Sequence, residues 1–197
     1  KSMPFWYTFG MNEVLTYLEQ LRELALDQHG FVSSAQAVAA GIPKTELPRL
    51  ASRGRISRVG HGIYRISQVP STQYENLALA LLETGVEDAC ISHDTALAVW
   101  EICDINSATL HISVPQGRRI RRSLKPHYEI HRQNVQPSDA TWWQEIPLTS
   151  IAKTIGDCIV DGTPTYLLRQ AIVNGAASGM LSSLDQQELT QKLDQRG

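Results

Sequence analysis

Positively charged side chains are concentrated in two stretches of this 197-residue chain. Residues 41–68 and residues 111–134 each hold six lysine or arginine residues against one glutamate, although the whole chain has a net charge of −2. Ammonium and guanidinium groups bind phosphate oxygens through charge-assisted hydrogen bonds. The segregation therefore predicts positive surfaces on an otherwise acidic protein, as expected for binding to a nucleic acid or to an acidic partner.

The first basic stretch is predicted to form a short helix and then a β-hairpin. Thr45 begins the predicted helix, which runs to about Arg53, and its hydroxyl is expected to cap the amide of Leu47. After Gly54 the pattern alternates between polar and apolar residues, which is typical of strands. Gly60-His61-Gly62 is expected to form the turn of the hairpin.

Two further helices are predicted before this segment. The apolar spacing from Met11 to Ala25 indicates a helix with Asn12 as a potential N-cap, ending at Gly30. A second helix is predicted over Ala35–Ala40, capped by Ser33 or Ser34. Three short helices followed by a basic hairpin indicate a winged helix-turn-helix over residues 11–68.

The second helix of such a pair enters the major groove of DNA, and the wing contacts phosphate or the minor groove. The side chains predicted to contact DNA are therefore those along the third helix and the hairpin: Lys44, Thr45, Arg49, Arg53, Arg55, Arg58, His61 and Arg65. Glu46 is the one acidic residue among them. It is interpreted as a partner for a cytosine amino group, as a helix-capping residue, or as a source of repulsion from the DNA backbone.

Residues 69–197 are predicted to form a mixed α/β domain, so that the chain as a whole is α+β. Helices are expected over Tyr74–Leu82, from His93 to about Glu101, and in three segments after Thr149. Strands are expected at residues 89–92, Thr109–Val114 and Tyr128–Arg132. The loop Gln116–Lys125 holds a second predicted basic surface, formed by Arg118, Arg119, Arg121 and Arg122. This loop extends a nucleic-acid surface, docks an acidic protein, or is simply solvated.

The chain shows poor signals for catalysis or for a bound cofactor. It lacks the H-E-x-x-H, P-loop and G-x-S-x-G motifs, and Ser92-His93-Asp94 is better explained by helix capping than by a catalytic triad. His111 and His131 lie on two predicted strands and can face each other, but a metal site needs more ligands. The three cysteines have no zinc or disulfide spacing. No metal and no cofactor are therefore predicted.

The remaining sequence features concern the ends and the location of the chain. No apolar run approaches the roughly 20 residues that a membrane helix needs, so a cytoplasmic protein with reduced thiols is expected. Residues 1–10 are interpreted as a leader or an artificial extension and are given little weight.

The order of short motifs resembles the AbiEi family of antitoxins. The N-terminal part of the resemblance is carried by Gly30-Phe31-Val32-Ser33-Ser34-Ala35-Gln36-Ala37, Ala40-Gly41-Ile42, Gly54-Arg55-Ile56 and residues 58–65. Ile91-Ser92-His93-Asp94-Thr95-Ala96-Leu97, the run from His111 to Arg119, and Ile146-Pro147-Leu148-Thr149-Ser150 resemble the second domain of that family. The likeness runs from about Asn12 to Leu193.

The resemblance implies the antitoxin of a bacterial type IV toxin–antitoxin system. Its winged helix is expected to repress its own operon by binding inverted repeats, with two copies on the DNA. Its C-terminal domain is expected to counteract a nucleotidyltransferase-like toxin encoded beside it. The family's DNA contacts fall on the eight residues named above.

Two other functions stay open at the level of the sequence. The C-terminal domain can serve mainly as a protein-interaction module that uses the Arg118–Arg122 loop, with DNA binding secondary. The third hypothesis is a nucleic-acid-processing enzyme, which metal-dependent cleavage by the pure protein would reveal.

Overall fold

A computed structural model of the chain describes residues 15–120 and 124–196. The predicted leader, the predicted cap Asn12, and Arg121 and Arg122 lie outside the described residues. The first helix begins at Tyr17, later than predicted, because Thr16 and Glu19 form a capping box there. The Thr16 hydroxyl accepts from the Glu19 amide, and the Glu19 carboxylate accepts from the Thr16 amide at 2.7 Å.

The N-terminal part contains three helices and three strands in the order of a winged helix-turn-helix. Helices α1, α2 and α3 span Tyr17–Leu26, Ser34–Ala39 and Glu46–Ser52. Strands β1, β2 and β3 span Phe31–Ser33, Ser57–Gly60 and Ile63–Arg65, and form an antiparallel sheet in the order β1-β3-β2. Strand β1 links α1 to α2, and β2 and β3 form the hairpin that follows α3.

The C-terminal part combines five helices with a mixed sheet. Its helices are α4 (Glu75–Thr84), α5 (His93–Trp100), α6 (Ile151–Asp161), α7 (Thr165–Ala177) and α8 (Ser183–Gln195). Its strands are β4 (Cys90–Ile91), β5 (Leu110–Val114), β6 (Tyr128–Arg132), β7 (Ala140–Trp143) and β8 (Ile146–Thr149). The sheet order is β6-β5-β4-β8-β7, with β5 parallel to β6 and β4 parallel to β8. The predicted α+β fold, a winged helix followed by a mixed α/β part, is confirmed.

The β7–β8 hairpin is a feature that the sequence analysis missed. Its two-residue turn, Gln144-Glu145, has positive φ angles of 47° and 60°, which glycine or asparagine normally supply. Pro147 lies inside β8 and further weakens the strand signal, because proline cannot donate to the hydrogen-bond ladder. The ring of His29 contacts this turn, and its Nε2 lies 2.8 Å from the carbonyl oxygen of Gln144.

Within the described residues, three buried apolar clusters hold the fold together. One lies within the winged helix and includes Leu21, Ile42 and Leu47. A second packs the wing against the C-terminal sheet, since Phe31 and Ile63 share it with residues of α4, β4 and β5. The third lies among α5, α6, α7 and α8. The wing is therefore anchored to the C-terminal part by apolar packing on one of its faces.

None of the helices in the described ranges combines the length and the apolar character that crossing a bilayer requires.

Candidate nucleic-acid interface

Two glycine-containing turns end the helices α2 and α3. Gly41 follows α2 with a φ of 83°, and the amide of Ile42 donates to the carbonyl of Ala37 at 2.9 Å. Gly54 follows α3 with a φ of 67°, and the amide of Arg55 donates to the carbonyl of Leu50 at 3.0 Å. Each arrangement is a Schellman motif, in which glycine adopts the left-handed conformation at little cost.

The predicted cap of α3 is wrong. Thr45 has helical backbone angles and its hydroxyl makes no capping hydrogen bond. The Glu46 amide instead donates to the carbonyl of Pro43 at 2.9 Å, which closes the turn before the helix. The Thr45 side chain is therefore exposed and not committed to its own helix.

Helix α3 has one buried side and one charged side. Leu47 is completely buried, and Leu50 is half-buried against the same cluster. Thr45, Arg49 and Arg53 are exposed. Because residues four apart on a helix differ by about 40° around its axis, these three form one outward stripe.

The edge strand β2 places Arg58 on the helical side of the hairpin. Arg58 lies opposite Tyr64 of β3, and Tyr64 is buried in the cluster of the winged helix. Directly opposed residues of paired strands share a face of the sheet, so Arg58 lies on the face that carries α1–α3. Its Nε donates to the carbonyl of Gly60 at 3.3 Å. His61 is exposed in the turn between the two strands.

Most of the positive charge on this surface is not neutralised within the chain. Arg49 pairs with Glu46 at 3.3 Å, through a guanidinium that is 57% exposed. Among the residues that the structure describes, no carboxylate forms an ion pair with Lys44, Arg53, Arg55 or Arg58. We call the exposed set Lys44, Thr45, Arg49, Arg53, Arg55, Arg58 and His61 the N-terminal basic surface.

Arg65 is placed apart from the other predicted contacts. It lies opposite Ser57 and Phe31, on the face of the sheet that packs against the C-terminal part. Its guanidinium donates to Glu75 at 2.6 Å and to the carbonyl of Val69 at 2.9 Å, and it lies 5.6 Å from the centroid of the Phe31 ring. Adjacent positions on a strand point to opposite faces, which separates Arg65 from Arg58.

The segment that carries this surface matches a known family. Residues 19–67 match the family model described as "Transcriptional regulator, AbiEi antitoxin". This segment belongs to the AbiEi antitoxin family. The resemblance to this family is thereby confirmed for the winged helix, which we call the AbiEi-type domain from here on.

Two further comparisons were made with the chain as a whole. The crystal structure of the RV2827C protein from Mycobacterium tuberculosis is similar to the chain, with 14% sequence identity and a TM-score of 0.43. That similarity covers 88% of this chain and 80% of the other. No curated protein matches the chain.

The second predicted basic surface differs from that of the AbiEi-type domain. Arg118 pairs with Asp88 at 3.1 Å, and Lys125 pairs with Glu83 at 3.2 Å. Glu83 also accepts from the Tyr128 hydroxyl at 2.6 Å. Arg119 is exposed without an ion pair among the described residues, and Arg121 and Arg122 lie outside them. Part of this second charge is therefore neutralised by the chain itself.

Ser92-His93-Asp94, outside the AbiEi-type domain, does not form a catalytic triad. The Ser92 hydroxyl lies 2.9 Å from Nδ1 of His93 and accepts from Ser113 at 2.8 Å, instead of capping α5. Asp94 turns the other way and accepts from the Thr163 hydroxyl at 2.6 Å. The carboxylate therefore does not orient the imidazole, as a triad requires.

Glu75 is a structurally important residue that the sequence analysis missed. It lies at the start of α4, ten residues after its partner Arg65. The strand pattern held a usable signal, because Arg65 alternates with the buried Tyr64 and Ile66 and so lies on the opposite face from Arg58.

Proposed function

We propose that the protein is a sequence-specific repressor that binds double-stranded DNA through the N-terminal basic surface. Helix α3 lies in the major groove, where Thr45, Arg49 and Arg53 reach base edges or phosphates. The hairpin lies along the adjacent backbone, where Arg55, Arg58 and His61 contact phosphate or the minor groove. Lys44 contacts phosphate at the start of the helix.

One observation carries this proposal. On and beside α3 and β2, four exposed cations have no carboxylate partner among the described residues: Lys44, Arg53, Arg55 and Arg58. They lie in a segment that matches a transcriptional regulator family. Unpaired surface cations lower the cost of approaching a polyanion, because DNA binding then breaks no internal ion pair. Arg65 is left out of the contact set, since its guanidinium is held by Glu75 and backbone carbonyls.

The family description, "Transcriptional regulator, AbiEi antitoxin", supports the biological role that we propose. We infer that the protein is the antitoxin of a type IV toxin–antitoxin system, acts in the cytoplasm without enzymatic activity, and represses its own operon. Residues 11–68 bind the operator, two copies occupying its inverted repeats. Residues 69–197 form the antitoxin part, which counteracts a nucleotidyltransferase-like toxin.

The test is a footprint on the DNA upstream of the gene. The full-length protein is expected to protect two half-sites related by a dyad, and a reporter driven by that DNA is expected to be repressed. The Arg53→Ala variant is expected to lose both effects, while Arg169→Ala, on the exposed face of the distant helix α7, keeps them. Uniform protection of any duplex, with no half-sites, would contradict sequence-specific repression.

A second candidate function is a protein-interaction module in the C-terminal part. Tyr166 and Val173 of α7 are 71% and 59% exposed, and their spacing of seven residues places them on one face of the helix. Exposed large apolar side chains on one face are typical of a surface that docks a partner. The sequence analysis places the docking instead on the Arg118–Arg122 loop.

Co-purification with the product of the neighbouring gene separates these two surfaces. If α7 docks the partner, Tyr166→Ala/Val173→Ala abolishes capture while Arg118→Ala/Arg119→Ala preserves it. If the basic loop docks the partner, the pattern is reversed. Capture that survives both double variants would contradict both versions of this candidate.

A further inference from the structure

Strands β5 and β6 lie at one edge of the five-stranded sheet, and one of their two faces is polar. Leu110, Ile112 and Ile130 contribute to the apolar cluster on one side. The alternate positions hold His111 and Ser113 on β5, and Glu129 and His131 on β6, with His111 opposite Glu129 and Ser113 opposite His131. Parallel pairing in this register places those four side chains on the same face.

The C-terminal end of α6 completes a group of four metal-binding side chains on this face. Asp161 is the last residue of α6, and one donor atom from each of His111, Glu129, His131 and Asp161 lies within 4.8 Å of the others. Nδ1 of His111 lies 3.0 Å from Nε2 of His131 and 4.0 Å from a carboxylate oxygen of Glu129. Donor atoms of a tetrahedral zinc site lie roughly 3.3 Å apart, given metal–ligand bonds of about 2.0–2.1 Å.

His93 supports this group from the side. Its ring stacks on that of His131, with centroids 3.5 Å apart and planes 15° from parallel. Its backbone has a φ of 49°, which is unusual for a residue other than glycine, and its Nδ1 is held by the Ser92 hydroxyl at 2.9 Å. Strained backbone of this kind concentrates where a side chain must be held for a specific task.

A hydrogen-bonded network fixes the neighbouring polar side chains. Gln133 donates to the Ser113 hydroxyl at 2.8 Å and to Asp157 at 3.0 Å, and Lys153 donates to Gln133 at 2.8 Å. Ser113 in turn donates to Ser92. These hydrogen bonds link β5, β6, α5 and α6 around the histidines. The elements that carry the four donor side chains are therefore fixed relative to one another.

We propose that His111, Glu129, His131 and Asp161 form a binding site for a divalent transition-metal ion, with Zn²⁺ as the best-matched ion. Two imidazoles and two carboxylates form a donor set that suits zinc and its neighbours in the first transition row, whereas Ca²⁺ and Mg²⁺ prefer oxygen donors alone. Four protein ligands fill a tetrahedral sphere, as in structural sites. The ion links the end of α6 to the two strands.

The experiment is a Zn²⁺ titration of the full-length protein after treatment with a chelator. We expect one ion per chain and a higher melting temperature with Zn²⁺, because an ion that binds only the folded state stabilises it. Asp161→Asn and Glu129→Gln change exposed side chains, so the fold is kept and the variants test the ligands directly. Each is expected to weaken Zn²⁺ binding by at least about tenfold, and each is expected to reduce the thermal shift.

His127→Gln is the matched control. His127 is exposed and lies just before β6, outside the four-residue group, so its replacement is expected to leave Zn²⁺ affinity unchanged. Substitution with Co²⁺ gives a second readout, since its visible spectrum reports nitrogen and oxygen donors in a four-coordinate site. Less than one-tenth of an ion per chain, or binding that Asp161→Asn, Glu129→Gln and His131→Gln all leave intact, would overturn the proposal.

Discussion

The two basic stretches of the chain have equal formal charge but different surroundings. In the first stretch, Arg49 and Arg65 pair with Glu46 and Glu75. The other four cations of that stretch are exposed without ion-pair partners among the described residues: Lys44, Arg53, Arg55 and Arg58. In the second stretch, Arg118 and Lys125 pair with Asp88 and Glu83. Charge available to a ligand is thus set by which acidic residues the fold brings alongside. The proposal places DNA binding on the first surface because its unpaired cations lie on and beside α3 and β2, within the segment that matches the transcriptional regulator family.

Of the variants that test the difference between the two basic stretches, Leu47→Ala is expected to have the largest effect on the free energy of unfolding. Leu47 is completely buried beneath the outward stripe of α3, and truncating such a residue costs about 2–5 kcal/mol of stability. DNA binding should fall with it, although every arginine is still present. Urea denaturation measures the loss.

Ile120→Ala is the control in the second stretch. Ile120 is only half-buried, so its truncation should cost less, about 0.5–1.5 kcal/mol, and should leave DNA binding intact. Equal losses in the two variants would show that the packing beneath the two stretches does not differ.

Arg65→Ala is expected to lower stability while sparing DNA affinity. Its guanidinium and the Glu75 carboxylate are largely buried, at 15% and 25% side-chain exposure, so breaking the pair should cost about 1–3 kcal/mol. Thermal unfolding and fluorescence anisotropy on operator DNA measure the two properties. A large loss of DNA affinity with unchanged stability would show that Arg65 contacts DNA, contrary to the proposal.

Salt dependence sharpens the comparison further. Each phosphate contact contributes about −0.9 to the slope of log affinity against log salt concentration. Arg53→Ala should therefore make the slope shallower by about 1, whereas Arg118→Ala should leave it unchanged. The same shallow slope for both variants would show that the two stretches touch phosphate equally.

Glu46→Gln is expected to have the smallest effect, with opposite sign. It removes a negative charge from the N-terminal basic surface and releases Arg49, so affinity for any duplex should rise by roughly 0.5 kcal/mol. Weaker binding confined to one sequence would instead identify Glu46 as a base contact, as the sequence analysis allowed.

The sequence predicted the winged helix well because its boundaries are local. Gly41 and Gly54 end helices through motifs that span six residues, and the hairpin alternates with period two. The same locality explains the misses. The β7–β8 turn uses Gln144 and Glu145 at positive φ, and its contact with His29 spans more than a hundred residues. No local pattern signals such a turn.

The candidate sites also contain some residues that local sequence places and others that only the tertiary fold brings together. The exposed arginines of α3 could be predicted because helical spacing alone places them on one stripe. Strand alternation also places Arg65 on the face away from Arg58, but its ion pair requires Glu75, which the fold brings up from the next helix. The sequence places His111 and His131 on two strands that can bring them face to face, and no metal site is predicted from them. Asp161 lies thirty residues beyond His131, and only the tertiary fold adds it to the group.

The central claim is that DNA is bound by the α3 and β2 surface of the AbiEi-type domain. It is tested most directly by titrating one upstream duplex with Arg53→Ala, Arg58→Ala and the Arg118→Ala/Arg119→Ala double variant. We expect each of the first two to lose about 1–3 kcal/mol of binding free energy if the residue is a base contact, and less if it touches phosphate alone. The double variant should stay within about 0.5 kcal/mol of the original protein. Unchanged affinity in both single variants, with a large loss in the double variant, would contradict the account.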